Sequence, residues 1–106
     1  MLTFTIKKKW FDMICSGEKK EEYRDTSRYY FQRLQQYLGW KMINGKRVKT
    51  EFLVRLRNGY DMTSPSVVAR CTVGLGPGRP EWGAEPGKEY YVLSILGLEP
   101  ERYGET

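Results

Sequence analysis

The chemistry-bearing residues of this chain crowd into one stretch, Gly17-Glu18-Lys19-Lys20-Glu21-Glu22-Tyr23-Arg24-Asp25. A carboxylate accepts hydrogen bonds from exocyclic amines, and Lys or Arg donates to carbonyl and phosphate oxygens. On a short strand Glu22 and Arg24, two apart, share one face, and Tyr23 takes the other. Set on a buried-facing side, that Glu/Arg alternation would line a pocket with ion pairs able to hold a nucleobase edge. Lys19 and Lys20 sit in the turn before the strand. The same residues also read as a solvated turn and an edge strand with ordinary surface charge, and spacing alone leaves both readings open.

Two further places could serve a ligand. Lys7-Lys8-Lys9-Trp10 sets three cations beside an aromatic ring, a combination that suits phosphate plus base stacking. The competing reading makes it a basic turn with Trp10 anchored in the core. The loop Gly76-Pro77-Gly78-Arg79-Pro80-Glu81-Trp82-Gly83-Ala84 combines glycines, which let backbone approach a ligand closely, with Trp82 as a lid or a packed plug. Arg55, Arg57 and Arg70 share the exposed-type positions of two strands, a basic stripe or simply the solvent side.

Composition removes several chemistries. With no histidine, Ser-His-Asp and Cys-His mechanisms are excluded. Cys15 and Cys71 form no CxxC pair, so a zinc site is not expected; both read as reduced, small buried hydrophobes, with a disulfide as the lesser alternative. No GxxxxGK[ST] phosphate loop occurs, and no cofactor or metal is implied. A net charge of +5 favours a polyanionic partner only if the charge clusters. No apolar run is long enough to span a bilayer and the N-terminus lacks a hydrophobic leader, so a soluble, cytoplasmic domain is expected.

The elements that must position these residues follow from periodicity. Leu2–Ile6 alternates as a strand; Trp10, Phe11, Met13 and Ile14 fall at helical spacing before Gly17. A short strand spans Glu21–Arg24. A helix runs from about Ser27 to Leu38 after the capping run Asp25-Thr26-Ser27, and Tyr29, Tyr30 and Phe31 are expected to pack. Residues 41–50, with Asn44-Gly45, form a basic hairpin or loop. Strands cover Phe52–Arg57, turned by Asn58-Gly59, and 67–73; residues 74–88 form a long loop, and Glu89–Leu96 a last, buried strand. The order predicts one α+β domain over residues 1–106, a mostly antiparallel sheet of about five strands curled into a small barrel, with two main helices.

The pattern Gly17-x-Lys19-x-x-Glu22-x-Arg24 after a first strand and helix resembles the signature of ASCH domains (activating signal cointegrator homology), members of the PUA-like superfamily. Arg57-Asn58-Gly59-Tyr60 and Gly78-x-Pro80-Glu81-Trp82-Gly83-Ala84 are similar to the small stand-alone bacterial and phage proteins of that group, so the resemblance covers Leu2 to about Leu98. It implies a small PUA-like β-barrel with a cleft beside the signature, suited to RNA or a modified nucleoside. One bacterial branch hydrolyses N4-acetylcytidine with a signature lysine as base, a threonine as nucleophile and a distant glutamate as acid; other relatives are ribonucleases. Lys19 matches the lysine, Glu22 stands where the threonine would be, and Glu81 is a candidate for the acid. A carboxylate nucleophile would form an anhydride rather than an ester.

Three functions are therefore expected, in this order. In an RNA- or nucleotide-binding domain, Lys19, Lys20, Glu22 and Arg24 form the cleft, with Lys7, Lys8, Lys9, Arg57 and Trp82 in support. A metal-independent hydrolase, acting on a nucleoside amide or RNA, would use Lys19 and Glu22 as catalytic residues. A module binding a phage or host protein would use exposed aromatics such as Trp40 and Trp82 as anchors.

Overall fold

The computed structural model describes residues 1–100, so the expected domain end at residue 106 lies outside the described residues. Seven strands and two α-helices run in the order β1 (Leu2–Thr5), α1 (Lys8–Cys15), β2 (Glu21–Asp25), α2 (Arg28–Leu34), β3 (Trp40–Ile43), β4 (Lys46–Lys49), β5 (Phe52–Arg57), β6 (Ser66–Pro77) and β7 (Glu89–Glu99). Five strands form one curled half-barrel sheet in the order β1-β5-β6-β7-β2. Only β1 and β5 pair in parallel; the other pairings are antiparallel. The mixed α+β fold and barrel-like core match the expectation from sequence.

The sheet curls because β6 and β7 are long, and right-handed twist accumulates along them. A bulge adds to it: Arg70 pairs with Gly97 and Cys71 with Ile95, which leaves Leu96 as the extra residue on β7. The alternation in Phe52, Val54 and Leu56 sends these side chains inward, where they meet Phe4, Ala69, Val73 and Leu93. Helix α1 covers this core with Ile14, and α2 with Leu34. Tyr37 stacks flat on Phe52 with ring centroids 4.0 Å apart. Both thiols are free; Cys71 is buried in the core as expected, whereas Cys15, the last residue of α1, is exposed. No helix among the described residues is long and apolar enough to cross a membrane.

Several boundaries differ from the sequence-based expectation. The second helix is α-helical only to Leu34 and ends as a 3-10 turn over Gln35–Tyr37. Ser27 caps it by accepting the Tyr30 N–H at 3.3 Å. Tyr30 packs on the core, but Tyr29 and Phe31 are exposed, because a helix of two turns turns only one narrow face inward. The expected loop at 74–88 is shorter: β6 continues through Pro77, since Gly74–Pro77 finds partners in Tyr90–Val92 and Glu89. A 3-10 turn, Pro80–Trp82, fills the remainder. The last strand runs on to Glu99 and is buried only along Tyr90–Leu93. The turn after β5 is not two residues but a segment of eight, residues 58–65, closed by the Asn58 N–H on the Pro65 carbonyl.

The basic segment is a hairpin, β3–β4, that forms its own two-stranded sheet outside the half-barrel. Core and hairpin should therefore respond differently to truncation. Leu34→Ala empties a fully buried position and is expected to cost about 2–5 kcal/mol. Ile43→Ala, on the hairpin, is expected to cost under about 0.5 kcal/mol. Urea denaturation of the two variants checks this.

Candidate functional site

The site is assembled at the open seam of the half-barrel, between its edge strands β1 and β2. Helix α1 stops at Gly17 (φ +83°), and the Lys19 N–H returns to the Met13 carbonyl at 2.9 Å, which turns the Lys19 side chain back under the helix. Strand β2 then pairs with β7 so that Glu22 lies opposite Leu93 and Arg24 opposite Tyr91, both core residues. Tyr23 lies opposite Val92 on the other face. The period-two alternation thus puts one carboxylate and one guanidinium on the inner face.

Glu22 bridges two cations. Its Oε1 is 3.0 Å from Lys19 Nζ and its Oε2 is 3.1 Å from Arg24 Nη1. Lys19 Nζ also donates to the Trp82 carbonyl oxygen at 2.7 Å. The ring centroids of Trp10 and Tyr23 lie 5.0 and 4.9 Å from it. The Lys19 side chain is 0 % exposed. Its ammonium is held by a carboxylate, a carbonyl and two π-faces in place of water. Burial is the largest influence on Lys19 and lowers its pKa from the ordinary 10.5, while the charge and hydrogen bond of Glu22 oppose the shift.

Arg24 closes the seam. Its Nη2 donates to the Thr5 carbonyl oxygen across on β1 at 3.0 Å, and its Nη1 to the Tyr23 carbonyl at 3.0 Å. The guanidinium lies 5.1 Å from the Phe4 ring centroid and 5.9 Å from that of Tyr30. Its Nε is buried and has no acceptor. Beside it Asn58 Nδ2 donates to the Ile6 carbonyl at 3.2 Å and fixes the chain as it leaves β1.

Above this cluster opens a cleft of about 260 Å³. Glu22 and Arg24 line it together with the aromatic rings of Trp10, Tyr23, Trp82 and Tyr90, and Thr5 and Lys7 flank them. A second hollow, of about 290 Å³, lies between the end of α1 and β7. It is lined by Lys19, Lys20, Cys15 and aliphatic side chains such as Ile95 and Leu98, and among the described residues it has neither a carboxylate nor an aromatic ring. The smaller cleft holds the convergent charges and is the candidate site.

The residues expected to act together separate into groups. Glu22, Arg24, Lys7 and Trp82 line the cleft. Lys19 adjoins it but is sealed beneath, so it cannot touch phosphate or abstract a proton without breaking its contacts to Glu22 and Trp82. Lys20 faces the other hollow. Lys8 is exposed and pairs with Asp12 at 2.6 Å; Lys9 is exposed and lies over the Trp10 ring at 4.7 Å. Arg57, the last residue of β5, lies opposite Thr5 and is partly buried, but it does not line the cleft; its backbone carbonyl accepts from the Ile6 N–H at 2.8 Å. Arg55 donates to Ser66 Oγ, and Arg70 pairs with Glu51 and Glu99, so two members of the expected basic stripe are engaged within the sheet's outer face. Glu81 is exposed and absent from the cleft lining.

Trp10 lies at the cleft rather than in the main core. Its ring passes 2.9 Å from where a Cβ of Gly83 would sit, and Gly78 likewise leaves room for the Tyr23 ring at 2.8 Å. These glycines admit the protein's own aromatics, not a ligand backbone. Tyr23 packs with Ala84 and Tyr90 in a satellite cluster apart from the main core. Its hydroxyl donates to Glu21 Oε1 at 2.7 Å and accepts the Arg79 N–H at 2.9 Å. Sequence reasoning missed Thr5, Asn58 and Tyr90. Thr5 and Tyr90 carry no local signal, and Asn58, legible only as a turn and motif residue, takes its role from the contact with Ile6, 52 residues earlier in the chain. Among the described residues no group of three or more metal-capable side chains converges.

Searches against family models, curated proteins and solved structures return no match to this chain.

Two measurements test this geometry. Lys19→Ala leaves the Trp82 carbonyl unpartnered and Glu22 half-paired, and is expected to cost about 3 kcal/mol or more in thermal or urea unfolding. Tyr23→Phe should cost about 1–2 kcal/mol at neutral pH. Burial, first, and the Glu21 hydrogen bond raise the Tyr23 pKa above its ordinary 10.0. The folded phenol therefore keeps its proton after the unfolded one has lost it. Its contribution to stability is full below pH 10 and falls as pH rises beyond that value. Tyr23→Phe should flatten this alkaline loss in a stability–pH profile.

Proposed function

We propose that this chain is a recognition module for RNA or for a nucleoside or nucleotide, with the ligand's base held in the cleft at the seam. The observation that carries the reading is the Glu22 carboxylate, buried between two cations and lining a cleft walled by aromatic rings. Each Glu22 oxygen spends one acceptor site on a cation and keeps another for a base amino group. Arg24 Nη2 gives one N–H to the Thr5 carbonyl and keeps the other for a ligand carbonyl oxygen. Trp10, with Lys9 and Lys19 over its ring, and Trp82, with Arg79 over its ring, wall the cleft for stacking with a base, and Lys7 supplies charge for a phosphate. The cleft suits a single nucleoside rather than a duplex. The same arrangement fits the ASCH resemblance, which places a ligand beside the Gly17–Arg24 signature, and we propose that membership with it.

Recognition is favoured over hydrolysis by the position of Lys19. A catalytic base must reach the proton it removes, and the Lys19 ammonium is enclosed. Among the described residues Glu22 is the one carboxylate lining the cleft, and none of them places a second acid across from it.

The reading is tested by titrating nucleosides, nucleotides and short RNAs while following tryptophan fluorescence and thermal shift. Binding should weaken steeply with added salt for the phosphate-bearing ligands. Arg24→Lys removes the planar donor fork and should weaken binding about tenfold or more. Trp10→Ala should lower affinity for every base by a similar factor. Absence of binding across the whole panel at low salt would reject the proposal.

A further inference from the structure

The β3–β4 hairpin has no place in the cleft, yet it is the most concentrated basic element of the chain. From Leu38 to Thr50 the sequence holds Lys41, Lys46, Arg47 and Lys49 and not one acidic residue. Among the described residues none of these four forms an ion pair. The hairpin pairs only with itself and leaves Trp40 55 %, Met42 64 % and Ile43 49 % exposed. A core that had use for these side chains would have covered them.

The register decides what the hairpin can bind. Trp40 lies opposite Lys49 and Met42 opposite Arg47; on the reverse face Lys41 lies opposite Val48 and Ile43 opposite Lys46. Each face thus carries two cations and two apolar groups. A hairpin that enters a lipid surface segregates an apolar face from a basic one, and this one mixes them, with polar Asn44-Gly45 at its tip. Arg47 and Lys49 lie 4.9 and 5.5 Å from the Trp40 ring centroid. An aromatic face flanked by unpaired cations matches the alternation of base and phosphate along a single strand.

We infer that β3–β4 is a second nucleic-acid contact, an arm that grips the single-stranded backbone of a ligand longer than the one nucleoside the cleft accommodates. Its cations meet phosphates without sequence preference, and Trp40 stacks one base. The inference rests on the reading of the chain as a nucleic-acid module, but it concerns a different surface, so the two are separable by experiment.

The test uses the whole chain, a fluorescent single-stranded RNA of about 20 nucleotides, longer than one such binding site, and UMP as a ligand too short to reach both surfaces. The quadruple variant Lys41→Gln, Lys46→Gln, Arg47→Gln, Lys49→Gln should reduce the slope of log affinity against log salt by about 2–3, at roughly 0.7 per lost phosphate contact. Trp40→Ala should weaken RNA binding at least fivefold through lost stacking. Both variants should keep the wild-type melting temperature and the wild-type response to UMP, which also shows that the fold is intact. An unchanged RNA affinity and salt slope in the quadruple variant overturns the arm. So does arm-dependent binding to phosphatidylserine vesicles with RNA binding unaltered. RNA binding that depends on the arm without any nucleoside response would retain the arm and reject the cleft instead.

Discussion

A lysine ammonium taken wholly out of water sets the terms for this molecule. Desolvating such an ion costs several kcal/mol, which only close, well-aimed partners recover. Lys19 finds them in three different parts of the chain: the Glu22 carboxylate on β2, the Trp82 carbonyl in the 3-10 turn after β6, and the ring of Trp10 on α1. None can move far without stranding the charge. One buried ion therefore ties the first helix, an edge strand and the 78–84 connection into a single rigid corner, and the cleft lies against it.

What Lys19 fixes, Arg24 completes. A sheet whose edge strands are β1 and β2 has an unclosed seam, and an edge exposes unpaired backbone groups. Arg24 reaches across to the Thr5 carbonyl and spans that gap with a side chain in place of a strand ladder. The seam stays narrow but is not sealed. A carboxylate already oriented by two cations would cost little reorganisation on meeting a ligand, and that preorganisation distinguishes this cleft from the similar hollow beside β7.

Basic charge in this protein is divided by use. Lys19 and Arg24 are spent on internal partners, Lys8 on Asp12, Arg70 on Glu51 and Glu99, and Lys88 on Asp25. Lys7 at the cleft and the four cations of the hairpin form no ion pair among the described residues. The net charge of +5 is thus less informative than its distribution. Of the charge left without an ion pair among the described residues, the hairpin holds the densest group, while Lys7 lies at the cleft and others, such as Lys20 at the second hollow, lie elsewhere.

The sequence by itself determined most elements and the facing of β2. Alternation in Leu2–Ile6 and Phe52–Leu56 and the stop at Gly17 are local steric and hydrophobic signals, and the two-residue spacing of Glu22 and Arg24 already put them on one face. It also excluded histidine chemistry outright. Other features were decided only in three dimensions. Whether Gly74–Pro77 is loop or strand depends on Tyr90–Val92 being there to pair with it. Trp10 and Trp82 could be plugs or cleft walls until the turn at Gly83 set their places. Above all, nothing local distinguishes Lys19 from Lys20: both follow Glu18 in the same turn, yet one is enclosed and the other is exposed to solvent. The difference comes from Glu22 and the Trp82 carbonyl, the latter 63 residues away in the chain. Burial of a charge is a property of its partners, and partners distant in sequence meet only when the chain has folded.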